Sequence, residues 1–259
     1  MQWYYQPATT SMETMQAPSQ TTGKLIRRYK RFLADVQLDN GKIITVHCPN
    51  TGSMKNCIEE GASVWLSRSD NPSRKYPFTW ELTRTARGHF IGINTGKANA
   101  IVKSGILGNK VAEVRDYPII KTEQKYGSEN SRIDILLSGH SKFPDCFLEV
   151  KSVTLLEAPA SKGLGYFPDS VSERGSKHLR ELKHVVEQGY RGVLFYCVQH
   201  SGIHEVRPAS HIDHVYADTL TSAIAAGVEV LAYKVSFRGF WPVLGKPLPF
   251  TLEESISNE

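Results

Sequence analysis

Apolar residues recur at every second position in short runs through the first third of the chain, then switch to a mixture of strand and helix periods. Apolar runs over 25–38 and 42–47 flank Asp39-Asn40-Gly41, and Asn-Gly between two such runs predicts a hairpin. Further strands are predicted over 62–67, 79–85 and 90–94. Five short strands within about seventy residues predict a small barrel of the OB type. After Asn94, Ala98, Ile101, Val102 and Ile106 carry helical spacing, and Gly105 and Gly108 close that helix. Strands follow over 112–121, 131–137 and 147–152. The segment 164–170, containing Phe167-Pro168-Asp169, reads as a loop. A second helix starts from a hydroxyl cap at Ser170 or Ser172, buries Leu179, Leu182, Val185 and Val186, and ends at Gly189. A buried strand over 192–198, a helix over 213–226 and a last strand over 228–235 complete an α/β layer with a mixed sheet. The expected organisation is a flexible extension over 1–23, a barrel over 24–93 and an α/β domain over 94–259.

The strands over 131–137 and 147–152 carry the candidate chemistry. Residues 138–144 between them are turn formers, so the pair predicts a hairpin. A turn centred on Ser141 and Lys142 sets Asp134 opposite Glu149 and Arg132 opposite Lys151, with Glu149 and Lys151 on one face. Charges within such apolar strands are costly unless paired or bound to a metal. Adjacent carboxylates repel unless a cation or a proton lies between them. Mg²⁺ or Mn²⁺ suits such a site, because one or two carboxylates suffice and waters and phosphates complete the shell. Asp134 and Glu149 are the expected metal ligands. With Lys151 orienting a water or offsetting phosphate charge, they form the expected catalytic set of an Asp…Glu-x-Lys nuclease site. The same residues also fit a solvated hairpin face of cross-strand ion pairs. Pro144-Asp145 falls in the turn and reads as structural.

A net charge of +5 permits a polyanionic partner without requiring one. Lys24, Arg27, Arg28, Lys30 and Arg31 interleave with Tyr29 and Phe32, which suits phosphates and bases, or equally a solvated strand over an aromatic core. The loop Cys48 to Lys55 offers a glycine, hydroxyls and Lys55 to a phosphate, although a plain inter-strand loop is the simpler reading. It lacks the Gly-x-x-x-x-Gly-Lys of a nucleotide-hydrolysing loop. Arg174 and Lys177 lie in the first turns of the second helix, where the dipole favours a phosphate. His178 shares a face with Leu182 and Val185 and points towards the sheet. His200, His204, His211 and His214 match no zinc spacing. Cys48, Cys57, Cys146 and Cys197 form no Cys-x-x-Cys pair and read as reduced thiols of a cytoplasmic protein. No apolar run reaches the roughly 18 residues of a membrane span, and 1–23 lacks the pattern of a signal peptide, so no membrane partner is expected.

Several motif blocks follow one another along the chain. They are Arg28-Tyr29-Lys30-Arg31-Phe32-Leu33-Ala34-Asp35-Val36, Cys48-Pro49-Asn50-Thr51-Gly52-Ser53-Met54, Tyr126-Gly127 with Ser131-Arg132-Ile133-Asp134, Glu149-Val150-Lys151-Ser152-Val153-Thr154-Leu155, Phe167-Pro168-Asp169, and Glu173-Arg174-Gly175 with Lys177-His178-Leu179. In this order, across residues 24–236, the chain resembles the sugar fermentation stimulation protein family (SfsA). The resemblance implies a two-domain α/β (α+β) chain, an OB-like barrel followed by a restriction-endonuclease-like PD-(D/E)XK domain. Asp134, Glu149 and Lys151 take the nuclease positions by motif. It also implies largely non-specific DNA binding and a regulatory role in sugar (maltose) metabolism. Arg27, Arg28, Lys30, Arg31, Lys55, Arg132, Arg174, Lys177 and His178 are the expected DNA contacts. The rival readings are an active metal-dependent endonuclease, a regulator whose site only binds metal, and a hydrolase of a small phosphorylated molecule.

Overall fold

Alternate residues of the first third turn inward around Leu25, Val36, Val46, Val64, Leu66, Trp80 and Ile91. In the computed structural model, which describes residues 21–127, 131–157 and 162–252, they lie on β1 (Thr21–Tyr29), β2 (Leu33–Leu38), β3 (Ile43–His47), β4 (Ser63–Arg68), β5 (Phe78–Arg84) and β6 (Phe90–Gly92). The strand order is β3-β2-β1-β4-β5-β6, and a parallel contact of β3 with β5 at His47 and Thr79 closes the barrel. The expected N-terminal extension, with Trp3-Tyr4-Tyr5, lies outside the described residues up to residue 20; Thr21 to Gly23 already belong to β1.

The run over 25–38, expected as one strand, is two. Lys30 and Arg31 both take left-handed backbone (φ 50° and 63°), and the chain folds back so that Tyr29 pairs with Leu33. Such turns normally advertise themselves through Asn or Gly. Here two basic residues adopt the conformation, and Arg28 Nε braces it by donating to Arg31 O at 3.0 Å.

The rest of the chain runs α1 (Ala98–Leu107), β7 (Ile119–Tyr126), β8 (Ser131–Ser138), β9 (Cys146–Val153), β10 (Leu155–Leu156), β11 (Leu164–Phe167), α2 (Glu173–Glu187), β12 (Arg191–Val198), β13 (Glu205–Pro208), α3 (His214–Ala225), β14 (Glu229–Arg238) and β15 (Trp241–Pro247). Its main sheet is ordered β15-β14-β12-β9-β8-β7, with β9, β12 and β14 parallel and the outer pairings antiparallel. Helices α2 and α3 are the crossovers that parallel neighbours require. On one face α1 buries Ile101, Val102 and Ile106 with Leu148, Val150 and Phe195. On the other, Leu179 and Leu182 of α2 and Leu220 of α3 pack with Ile133, Leu194 and Tyr196. Burying each such side chain contributes about 1.5–3 kcal/mol. The start of α2 is capped by Ser172 Oγ, which accepts from Gly175 N at 3.0 Å. Asp213 caps α3 and accepts from Ser172 N at 2.8 Å, tying the two helix starts together.

Three local expectations change. The strand expected over 112–121 begins only at Ile119, because Ala112–Val114 is a 3₁₀ turn and Asp116 is left-handed (φ 65°). The loop expected over 164–170 contains β11, which joins β10 and β13 in a small separate sheet. β14 is not the last strand, because β15 returns antiparallel to it.

Barrel and α/β domain are fastened by backbone and side-chain bonds. Gly92 N donates to Gln199 O and Ser201 N to Phe90 O, both at 2.8 Å. Asp169 accepts from Ser53 Oγ at 3.0 Å and Met54 N at 3.2 Å, and Lys55 pairs with Glu157 at 2.7 Å. All four cysteines are free thiols and buried. Among the described residues no helix is long and apolar enough to cross a membrane.

Candidate metal centre

Strand β8 pairs with β7 along its length, but with β9 only where Ile135, Leu136 and Leu137 face Leu148, Phe147 and Cys146. Continued by one residue, this register sets Asp134 opposite Glu149, as the turn position predicts. The ladder stops there, and a side chain replaces the backbone acceptor. Asp134 Oδ2 accepts from Val150 N at 2.7 Å, and its Oδ1 accepts from Asn99 Nδ2 at 2.7 Å. Asn99 stands in the first turn of α1, and the barrel holds that turn. Buried Glu81 of β5 takes Lys97 Nζ at 2.8 Å and Asn94 Nδ2 at 3.0 Å on Oε2, and Ser67 Oγ at 2.6 Å on Oε1. Opposite Asp134 in the β7 register, Glu123 takes left-handed backbone (φ 54°) in mid-strand. Strain of this kind costs about 1–3 kcal/mol and collects at functional sites.

Glu149, 2% exposed, faces α2. Its Oε1 receives two donors, Lys151 Nζ at 2.8 Å and His178 Nδ1. Arg174 Nε donates to the far nitrogen of that ring, Nε2, at 3.4 Å. The second carboxylate oxygen of Glu149, Oε2, is buried without a partner.

The two carboxylates are driven apart in proton affinity. Burial pushes Asp134 above the usual carboxylate range and the charge of Glu149 adds to it, while the bonds from Val150 N–H and Asn99 pull back. Burial also pushes Glu149 up, but the bond from His178 and the charge of Lys151 outweigh it and hold the group below its ordinary value. Glu149 therefore gives up its proton more readily than Asp134, and it has one oxygen open.

These residues fit a hard divalent cation. An orphaned buried carboxylate oxygen costs about 1–3 kcal/mol or more, which a cation would relieve. Each carboxylate oxygen offers two lone pairs, so Asp134 keeps acceptor capacity beside its two donors. Among the described residues no group of three His, Cys, Asp or Glu side chains is arranged to hold a metal. The protein would thus give two carboxylates and leave the remaining positions to water and phosphate oxygens, the habit of Mg²⁺.

The other sequence-predicted residues divide. Arg132 is exposed two residues from Asp134 on β8, Arg174 is exposed in the first turn of α2, and Lys177 is half-buried beyond it. His178 is 6% exposed and holds Glu149, a place unsuited to contacting DNA directly. On the barrel, Lys30 and Arg31 are exposed at the β1–β2 turn, next to Phe32, 46% exposed. Arg27 pairs with Asp35 at 2.9 Å and lies over the Tyr29 ring. Arg28 Nη2 braces the next loop by donating to Asn50 O and Gly52 O at 2.9 and 3.0 Å. Lys55 is committed to Glu157, and the 48–55 loop receives an internal anion, the carboxylate of Asp169. Sequence reasoning missed Asn99, Glu81 and Asp169. Asn99 left one signal: it precedes Val102 by three residues and Ile106 by seven, on the buried face of α1.

Two family models divide the chain where the fold does. A model described as the SfsA N-terminal OB domain matches residues 26–93, and one described as the sugar fermentation stimulation protein RE domain matches residues 96–239. A sugar fermentation stimulation protein homolog of Shewanella frigidimarina is 58% identical over 219 residues, covering 85% of this chain and 92% of that protein. The homolog of Shewanella pealeana is 54% identical over 236 residues, covering 91% and 99%. The solved structure of Pyrococcus furiosus SfsA, in complex with Ca²⁺, superposes with a TM-score of 0.79 at 23% identity, covering 93% of this chain and all of that one. A closed OB-like barrel followed by a mixed-sheet α/β domain, matched over nearly its whole described length, makes this chain a member of the sugar fermentation stimulation protein family.

Proposed function

We propose that the protein is a cytoplasmic DNA-binding protein, largely indifferent to base sequence, with a divalent-cation site for phosphodiester chemistry between Asp134 and Glu149. The observation that carries this reading is the buried, partnerless Oε2 of Glu149 on the strand beside Asp134. The Ca²⁺ of the Pyrococcus furiosus relative supports it, because Ca²⁺ and Mg²⁺ both take carboxylate oxygens. Asp134 and Glu149 would hold Mg²⁺ or Mn²⁺. A cation held by these carboxylates would supply positive charge for a scissile phosphate and Lewis acidity for an attacking water. Lys151 Nζ, 2.8 Å from Glu149 Oε1, has further protons to orient a water or to meet charge growing on the phosphate. Asn99 and the Val150 amide hold Asp134 in one rotamer. Exposed Arg132, two residues from Asp134 on β8, and Arg174, bonded to His178, would engage the flanking phosphates, and Lys30, Arg31 and Phe32 give the barrel a basic tip with one open ring for a base. DNA binding of this kind would give the protein its regulatory part in sugar (maltose) metabolism.

The test is binding and cleavage of single- and double-stranded DNA with Mg²⁺ or Mn²⁺ by wild type and Glu149→Ala. Both are expected to bind with an affinity that falls steeply with salt, and only wild type to cleave. Equal cleavage by both would place the chemistry elsewhere. Binding by both without cleavage would remove phosphodiester chemistry from the reading and leave DNA binding.

A further inference from the structure

The asymmetry of Glu149 has a local cause. One oxygen carries two donors and the other none, and the donor that singles out Oε1 is a histidine on a different element. We infer that His178, oriented by Arg174, is a positioning residue that turns the Glu149 carboxylate so that Oε2 is the oxygen presented to a divalent cation. This rests on the reading that Asp134 and Glu149 hold such a cation.

The two nitrogens of the His178 ring have different partners, and those partners fix its proton. A guanidinium can only donate, so the Arg174 Nε contact at 3.4 Å requires a lone pair on His178 Nε2. The ring proton then resides on Nδ1, where it donates to Glu149 Oε1. Lys151 Nζ also lies 3.2 Å from Nδ1, but an ammonium is likewise a donor, so the two side chains converge on Oε1 rather than bond each other. The tautomer is assigned from these partners, and it makes the ring a fixed donor aimed at a single oxygen. The ring cannot drift: His178 is 6% exposed and one turn of α2 from Leu182, whose side chain is in the core. Ligating carboxylates generally need such outer partners, and removing one costs about 10- to 100-fold in metal affinity. Lys151 alone would be a poor guide, since an ammonium on a flexible stem has three rotatable donors and no preferred plane. Arg174, read from the sequence as a phosphate contact, thereby acquires a second duty two bonds removed from the carboxylate.

Two substitutions separate this role from simple packing. In His178→Asn the amide nitrogen falls where Nδ1 stands, whereas in His178→Gln it falls nearer the place of Nε2. Mn²⁺ binding is read directly by electron paramagnetic resonance on full-length protein, without DNA and without reference to activity, and melting temperature reports folding. Expected are Mn²⁺ affinities about 10- to 100-fold weaker than wild type for His178→Ala and His178→Gln, with substantial recovery in His178→Asn. Long-range ¹H–¹⁵N spectra of wild type should show the proton of His178 on Nδ1, and in Arg174→Ala a tautomer mixture. Wild-type Mn²⁺ affinity in a folded His178→Ala, Asn doing no better than Gln, or a proton on Nε2 would each overturn the inference. Should His178→Ala not fold, the Asn–Gln comparison and the tautomer decide it. Failure of the underlying site looks different: wild type would bind no Mn²⁺, or Glu149→Ala would bind it equally well.

Discussion

Asp134→Asn should make the metal-free protein more stable while removing its response to divalent cations. The substitution is nearly isosteric and keeps both hydrogen bonds. The amide oxygen can still accept from Val150 N, and Asn99 can turn its own amide over to accept where it now donates. What it removes is a charge beside Glu149. Facing residues on adjacent strands lie about 5 Å apart, and at an effective dielectric of about 20 two like charges there repel by about 3 kcal/mol. Asp134 is only half-buried and Lys151 stands beside Glu149, so screening leaves about 1–2 kcal/mol. In a chain of this size that is a rise of about 2–4 °C in melting temperature. The sign with pH follows from the raised value of Asp134. The folded state holds this proton more tightly than the unfolded one, so wild-type stability declines as pH rises from the unfolded value through the raised folded value. The variant escapes that decline. Its advantage is therefore expected at neutral pH and should vanish towards about pH 4. Melts followed by calorimetry in chelator and in Ca²⁺ test both halves, because a cation bound only by the native state raises the melting temperature by mass action. A variant less stable than wild type at neutral pH in chelator, or an equal Ca²⁺ shift in both proteins, would refute the idea that the two carboxylates repel each other and together hold the proposed cation.

Three further outcomes follow from named contacts. His200 is buried and its pKa is pushed down to about 3, by burial first and then by the charges of His89 and Lys234. The unfolded state therefore binds the extra proton first, and stability should fall as pH drops from about 6.5 to about 3, by on the order of 4 kcal/mol in all. His200→Asn keeps an acceptor for Gly202 N and should flatten that acid limb in pH-dependent melts; an unaltered limb rejects the assignment. Asp169→Ala strips the acceptor from Ser53 Oγ and Met54 N, and should cost about 1–3 kcal/mol with faster amide exchange at Met54; unchanged exchange would mean the joint does not depend on it. Lys30→Glu with Arg31→Glu should lower the salt slope of DNA binding by about one for each phosphate no longer neutralised, read by fluorescence anisotropy. An identical slope would remove the barrel tip from the interface.

The periodicity of this chain was enough for the order of barrel and α/β layer, for three helices and the hydroxyl cap of the second, and for the hairpin that carries Asp134 and Glu149. Each of these is set by neighbours in sequence: a period of two or of 3.6, a hydroxyl cap, a turn whose centre fixes a register. Elements without such a local signal were not legible. The turn at Lys30 and Arg31 has no glycine or asparagine, and β10, β11 and β13 are too short to show a period.

What only the tertiary structure decided is the state of the carboxylates. Asn99 reaches Asp134 across 35 positions and His178 reaches Glu149 across 29. Those distances in sequence are spanned by packing α1 on one face of the sheet and α2 on the other. The ladder ends at Ile135 because a side chain takes the Val150 amide, and Lys55 meets Glu157 because the barrel docks there. A sequence can state that two acids will face each other. Which of their four oxygens is left without a partner depends on donors brought in from elsewhere in the fold, and burial then makes that one vacancy energetically significant.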